Sequence, residues 1–507
     1  MFMKEKFLTT IQNGYTTKGE SILLGKAMLQ GEVLPDAVIS VPLKTLSRHG
    51  LIAGATGTGK TKTLQSLAGA LSEKGIPVLL MDIKGDLSGI GACGDSSPRT
   101  MERCQKLHIP FESQSYPIEF LSLSNEKGAR LRATVIEFGP VLLSKILELN
   151  DTQSGVIALL FKYCDDNGLP LLDLKDLKQA LQWVTNEGSE IIERQYGKVS
   201  AASTSTILRK IIELEQQGAE LFFGERSFDV QDLLRKDSVG MGMVNILRLT
   251  DIQDRPKLFS TFMLSLLAEI YATFPEIGDA DRPKLVLFID EAHLIFNEAS
   301  KALLNQIETI IKLIRSKGVG IYFCTQNPAD IPNEVLGQLG MKIQHALRAF
   351  TAKDRKDIKA AAENYPMSEF YDTDELLTTL GIGEALVTVL SEKGTPTPLA
   401  HTMMCPPKSR MDVLSADEIN DINAQSNLVN KYNQVIDRES AFEMLSAKIN
   451  EPTPTPETQK PAKKEKEEPG WLETISKNPM AKQLGNTLVK EVTRSLLGVF
   501  GLGGKRR

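Results

Sequence analysis

The feature that most constrains this chain is the run Gly54-Ala55-Thr56-Gly57-Thr58-Gly59-Lys60-Thr61, which fits G-x-x-x-x-G-K-[ST] at every fixed position. It lies between the apolar stretch Leu51-Ile52-Ala53 and a segment where Leu64, Leu67, Ala68 and Leu71 recur at helical spacing. Gly75-Ile76-Pro77 ends that helix, and Val78-Leu79-Leu80-Met81 has the unbroken apolar character of a buried parallel strand. Strand, glycine turn, helix and strand form one βαβ unit, which commits the chain to a parallel sheet with helices on its faces. Glycines let the loop curl so that successive N–H groups point at phosphate oxygens. The helix that opens near Lys60 adds the positive end of its dipole. Lys60 is expected at the β and γ phosphates and the Thr61 hydroxyl on Mg²⁺, so ATP and Mg²⁺ are the expected cofactors.

A partner pattern lies downstream. Lys284 to Ile289 is a second apolar strand, with Asp290-Glu291-Ala292-His293 at its carboxyl end. If that strand neighbours the one before the loop, Asp290 can hold the Mg²⁺ shell and Glu291 can polarise the attacking water as general base. His293 either couples hydrolysis to a neighbouring element or merely packs. The next strand, Gly320 to Cys324, leads into Thr325-Gln326-Asn327-Pro328. There Gln326 is a γ-phosphate sensor or a simple turn residue. Arg315 closes the helix between the two strands and so points away from its own nucleotide. It suits an arginine finger given to a neighbouring subunit, worth ~10³–10⁵ in rate, or else a base favoured by a helix C-terminus. Arg348, after the strand-like Lys342 to Leu347, is a second candidate. Asp82-Ile83-Lys84-Gly85-Asp86 ends the strand after the first helix. It either brings acids near metal or water and Lys84 near DNA, or forms a polar turn with a helix cap. No N-K-x-D base-reading motif is present, which disfavours a GTPase, and the paired acids suit water activation better than a small-molecule kinase.

The 507 residues, at ~150 per domain, suggest about three domain-sized units. The divisions expected are an N-terminal segment 1–33 with a short strand at Met28 to Val33, a first core part 34–88, and a mostly helical insertion 89–280. A second core part 281–400 follows, whose sheet finishes near Glu384 to Leu390, then a helical extension 401–450. Residues 451–470, Pro-rich and then charged, read as a disordered linker. Residues 471–507 carry Leu484, Leu488, Val492, Leu496 and Leu497 on one helical face and a net charge of +5, leaving about −10 for the rest of a chain whose total is −5. That asymmetry marks the tail as a contact element. The overall charge argues against a surface coated with nucleic acid but allows a local basic channel. No apolar run approaches the ~20 residues of a spanning helix, and Met1 to Lys6 lacks the apolar core of a secretory signal. Five scattered cysteines without a C-x-x-C pair fit a reducing cytoplasm and argue against a disulfide framework or zinc site.

The loop, the Asp82–Asp86 turn, Asp290–His293 and the Arg315 to Gln326 stretch together resemble the HerA/FtsK branch of RecA-like ATPases. Within it the chain is most similar to the helicase HerA-like C-terminal domain family; Ile136–Leu143, Leu149–Gln153 and the tail from Gly485 look like that family's signatures. The resemblance implies an α/β fold: a RecA-like P-loop core on a mostly parallel sheet, with a largely helical insertion and a C-terminal helical tail. It also implies Gly54–Thr61 on nucleotide, Thr61 and Asp290 on Mg²⁺, Glu291 in hydrolysis, Gln326 as sensor and Arg315 as a finger in trans. HerA-type members are hexameric ATPases that move duplex DNA through a central pore. About fifty residues precede Gly54, fewer than the β-barrel where a nuclease partner docks on HerA proteins, so that partner is not carried over. The D-E-A-H letters also occur in helicases with two RecA-like lobes, but the length here accommodates one core, and one core cannot complete its own trans arginine. A homo-oligomeric ring is therefore expected. The competing reading is an ATP-gated scaffold whose tail engages a protein partner or an anionic membrane surface.

Overall fold

The computed structural model describes residues 2–296, 301–349, 351–434, 436 and 438–450; the expected linker 451–470 and basic tail 471–507 lie outside them. Its described strands are β1 (Ser21–Leu29), β2 (Glu32–Pro42), β3 (Gly50–Ala53), β4 (Val78–Asp82), β5 (Ile118–Ser122) and β6 (Ala129–Arg130). Then follow β7 (Val244–Arg248), β8 (Leu285–Ile289), β9 (Val319–Thr325), β10 (Met341–Gln344), β11 (Glu384–Thr388) and β12 (Ala400–Met404). All join one sheet, in the order β2-β1-β12-β11-β10-β3-β9-β8-β4-β7-β5-β6. From β10 through β6 the pairings are parallel. From β10 out to β2 they are antiparallel.

The apolar runs form strands because the parallel part of the sheet is covered on both faces, and β4, β8 and β9 are buried along their whole length. The helix Lys60–Glu73 turns Leu64, Leu67, Ala68 and Leu71 into the same core as Ile52, Val78, Leu80 and Phe288. Each such leucine contributes about 1.5–3 kcal/mol on burial. This packing fixes the helix, and with it the loop at its amino end.

Two expectations are corrected at the antiparallel side. The sheet does not finish at Glu384 to Leu390, because β12 pairs with β11 and then with β1. The short strand read at Met28 to Val33 is the tip of a β1–β2 hairpin. Its two loop residues, Gln30 and Gly31, have φ of 52° and 82°, the pattern of a type I′ turn whose twist matches the flanking strands. Pro35 sits within β2, which is tolerated because β2 is an edge strand.

The described residues divide into two units, those of 2–132 with 226–434, and those of 133–225 with 435–450. The first holds the whole sheet, including β5 and β7 from within the 89–280 span. The second holds the helices Val135–Ile146, Asp151–Asp166, Leu174–Thr185, Ser189–Gln195 and Ala201–Gln216. Its two signature stretches are helix-boundary devices. Gly139 (φ 67°) with Pro140 breaks the helical geometry inside Val135–Ile146. Asn150 and Gln153 form a capping box, with reciprocal bonds of 3.1 and 3.0 Å.

Candidate nucleotide site

The loop 54–61 leaves β3 at its carboxyl end and runs into the helix Lys60–Glu73. Gly54 turns with φ of +151°, and a Cβ there would stand 2.5 Å from His345 Cβ. Gly59 caps the helix at φ +117°, with Gly383 Cα 3.1 Å from where its Cβ would be. No other residue type meets both demands without moving the backbone. The loop is tied at several points. Gly54 N–H donates to Thr325 O (3.2 Å), Ala55 N–H to Ala346 O (2.8 Å), Gly383 N–H to Thr58 O (2.8 Å), and the Thr58 hydroxyl to Ala55 O (2.7 Å). The first helical turn then presents amides, Lys60 and Thr61 among them, that helix geometry leaves without intrahelical acceptors. That is an anion-binding surface.

Two buried side chains complete the cradle. His345 follows β10, with Nδ1 2.8 Å from Glu384 O and Nε2 3.0 Å from Thr63 Oγ1. A carbonyl only accepts, so Nδ1 carries the proton and Nε2 accepts from Thr63. Burial pushes the ring's pKa down to about 4, which keeps it neutral. Lys60 donates its ammonium to Gly54 O (2.6 Å) and Ala55 O (3.2 Å), so it lies inside the curl of the loop. Burial lowers its pKa and the Lys84 ammonium adds to that, while Glu291 and Asp290 oppose both.

The acids arrive from β8, which is not the direct neighbour of β3: β9 lies between them. Two strand spacings, about 10 Å, separate β8 from β3. The register keeps their ends level, pairing Ile289 with Phe323 and Cys324 with Ile52. Ala292 N–H donates to Cys324 O at 2.9 Å. Asp290 is 6% exposed, and burial, then the Glu291 charge, pushes its pKa up to about 6. Its Oδ2 is buried and has no hydrogen-bond partner among the described residues. Glu291, 5% exposed, has φ of +46°, a left-handed conformation that costs a non-glycine residue ~1–3 kcal/mol. Its carboxylate makes an ion pair with Lys84, and His293 Nδ1 lies 3.2 Å from Oε2.

The donor set fits Mg²⁺. Among the described residues no cluster of three or more His, Cys, Asp or Glu suits a metal. Mg²⁺ in phosphate-transfer sites needs only one or two protein oxygens and takes the rest from phosphates and water. An unpartnered carboxylate oxygen on Asp290 and the hydroxyl of Thr61 answer to that description.

The other sequence candidates divide by sheet edge. Gln326 follows β9, the strand between the loop and the acids, and is exposed. Arg348 follows β10 at the same edge, and its guanidinium donates to Thr378 O at 3.5 Å. Arg315 lies before β9, at the opposite edge, exposed and 3.3 Å from Asp279 Oδ1; it is not brought to the loop. Asp82 organises its own turn, accepting from the amides of Gly85 (2.8 Å), Asp86 (3.1 Å) and Leu87 (3.2 Å). Sequence reasoning missed two contributors: the Lys84–Glu291 pair and the His345 clamp. The signal for Lys84 was its place after β4, the strand that flanks β8. For His345 it was a histidine just past a strand beside the loop.

Comparisons with known proteins bear on this geometry. The family model for helicase HerA-like C-terminal matches residues 28–507. The DNA double-strand break repair helicase HerA of Saccharolobus solfataricus is 25% identical over 357 residues, covering 69% of this chain and 63% of that protein. The HerA helicase of Sulfurisphaera tokodaii is 23% identical over 360 residues, covering 69% of this chain and 64% of its own. The chain thus spans just under two thirds of the length of these relatives. Among solved structures, the bacterial conjugative coupling protein TrwBdeltaN70 in an unbound monoclinic form matches at TM-score 0.50 and 14% identity, over 80% of this chain and 94% of that one. Its trigonal form in complex with sulphate matches at TM-score 0.51, with the same identity and coverage. At that identity the likeness shows the fold: a RecA-like P-loop core on a large, mostly parallel sheet.

Proposed function

The chain belongs to the helicase HerA-like C-terminal family, and from that premise we propose that it is a Mg²⁺-dependent ATPase that works as a homo-oligomeric ring, a hexamer by family habit, and moves DNA. One observation carries the reading. The loop that holds Lys60 leaves β3, and Asp290 and Glu291 follow β8; β9 lies between the two strands and keeps their carboxyl ends level, so ammonium and carboxylates come from non-neighbouring strands to the same sheet edge.

In this reading the loop amides and Lys60 hold the triphosphate, while Thr61 and Asp290 hold Mg²⁺. When bound, Mg²⁺ neutralises charge on the phosphate oxygens. Glu291 orients the attacking water and takes its proton, a contribution of ~10²–10⁴ in rate. Gln326, at the end of the strand between loop and acids, is placed to respond to the γ-phosphate. Arg315, at the far edge, serves the site of a neighbouring subunit. DNA as the polymer is supported by what the HerA relatives are called. The five cysteines, all free, support a cytoplasmic location, and no described helix is long and apolar enough to cross a membrane.

The test is ATP hydrolysis measured with duplex DNA, with single-stranded DNA and without DNA, alongside native mass with and without ATP. A multi-subunit mass and DNA-stimulated turnover are expected. Assembly with ATP but no stimulation by either DNA would replace translocation with the ATP-gated scaffold.

A further inference from the structure

Lys84 stands on a turn built to hold it still. Asp82 gathers the amides of residues 85–87 beneath it. Gly85 turns at φ +76°, where a Cβ would meet Thr250 Cγ2 at 3.0 Å. From that platform the side chain reaches Glu291. The two partners differ in freedom: the Lys84 side chain is 38% exposed and that of Glu291 6%. A long, part-solvated ammonium can swing, whereas a buried carboxylate on a left-handed backbone cannot. Glu291 also keeps a second contact, His293 Nδ1 at 3.2 Å, so its orientation survives if Lys84 leaves. Lys60 lies inside the curl of the loop after β3, and Lys84, after β4, pairs with Glu291 after the adjacent β8, so both ammoniums belong to the same carboxyl edge of the sheet.

A carboxylate engaged by an ammonium is a poor base, because its lone pairs and charge are already used. A γ-phosphate entering beside Lys60 brings more negative charge than Glu291 carries, and phosphate binds ammonium ions strongly. We propose that Lys84 is a nucleotide-operated switch: it holds Glu291 in the absence of triphosphate, and moves its ammonium to the γ-phosphate when ATP enters. Glu291 is then free to accept a proton from water. As the water oxygen bonds to the γ-phosphorus, the bond to the β-phosphate oxygen breaks, ADP leaves with that electron pair, and the proton rests on Glu291. ADP, which lacks the γ-phosphate, leaves the Lys84–Glu291 pair closed. The proposal rests on the ATPase reading above and adds a means by which the site distinguishes ATP from ADP.

The test measures ATP and ADP affinity by calorimetric titration in two full-length proteins, Glu291→Gln and Glu291→Gln with Lys84→Met. Both keep ATP intact during the measurement, and the second leaves no unpaired buried carboxylate at 291. The switch predicts that Lys84→Met weakens ATP by about tenfold or more, the worth of one charge-assisted hydrogen bond, and ADP by less than about twofold. Lys84→Arg on the same background should restore most of the preference. With Glu291 intact, Lys84→Met should lower kcat as well as raise KM for ATP. Equal weakening of ATP and ADP, or an unchanged ratio, overturns the proposal. If Glu291→Gln alone binds neither nucleotide, the ATPase reading itself fails, a separate and recognisable outcome.

Discussion

Replacing Asp290 with asparagine should stabilise the protein while disabling it, and the size of the effect can be worked from the site. The folded chain raises this carboxyl from the ordinary 3.8 to about 6, chiefly by burial and then by the Glu291 charge. At about 1.4 kcal/mol per pH unit, keeping it ionised costs roughly 3 kcal/mol. The sign follows from linkage. A carboxyl whose folded pKa is raised binds its proton more tightly when folded, so stability falls as pH rises from about 4 to about 6 and is level above that. Asparagine has the same shape, retains an oxygen to accept the Glu291 amide, and carries no charge at any pH. Thermal or urea unfolding of nucleotide-free wild type and Asp290→Asn, from pH 4 to pH 8, should show near-equal stability at pH 4. A gap in favour of the variant should open to a few kcal/mol by pH 7. Other titrating groups are common to both proteins and cancel in the difference. Mg²⁺-supported ATP hydrolysis should fall in the same variant, the exchange expected where an active site stores unfavourable burial. A gap that does not change with pH, or a variant less stable than wild type at pH 8, would refute the reasoning.

Three further outcomes follow from the same geometry. Gly59→Ala forces a side chain onto φ +117° and against Gly383 Cα; it should cost about 1–3 kcal/mol in denaturant unfolding and abolish ATP binding in a titration. His49 and His345 are both pushed by burial from the ordinary 6.5 to about 4. Their contribution is complete above about pH 6.5 and is lost as pH falls toward 4, while Asp290 and Asp82, raised to about 6 and about 7, change in the opposite sense. The stability of wild type relative to His49→Gln should therefore fall by about 2–3 kcal/mol between pH 7 and pH 4.5 in urea unfolding. Arg315→Ala should lower turnover strongly, yet mixing it with Glu291→Gln should recover part of the activity, because each subunit type supplies what the other lacks; mixtures as inactive as either variant would remove Arg315 from a role in trans.

What the sequence disclosed and what it withheld divide along a physical line. The loop, the helix after it, and β3, β4, β8 and β9 were legible because each is marked locally, by a glycine pattern or an unbroken apolar run. β5 carried no such mark: Glu119 interrupts it, and only the fold shows that charge to be buried and paired with Arg235 at 2.8 Å. β1 joins β12 through Gly25 and Met404, a pairing between distant parts of the chain that local periodicity cannot report. The same limit applies within the site. Asp290 and Glu291 were identifiable as a strand-end pair, but their level with the loop depends on β9 entering between β8 and β3. Lys84 was noticed without its partner, because the contact exists only when β4 and β8 lie side by side. Arg315 was read as the close of the helix between β8 and β9, and it stands before β9, at the edge opposite the loop; whether it serves a neighbouring subunit is the matter of the mixing experiment.

The central claim is that the loop at Lys60 and the acids after β8 serve a single triphosphate. ATP binding and turnover by Glu291→Gln and Lys60→Ala test it most directly. The account predicts that Glu291→Gln binds ATP at least as tightly as wild type while turnover falls ~10²–10⁴-fold, and that Lys60→Ala loses binding and turnover together. Wild-type turnover in Glu291→Gln would contradict it.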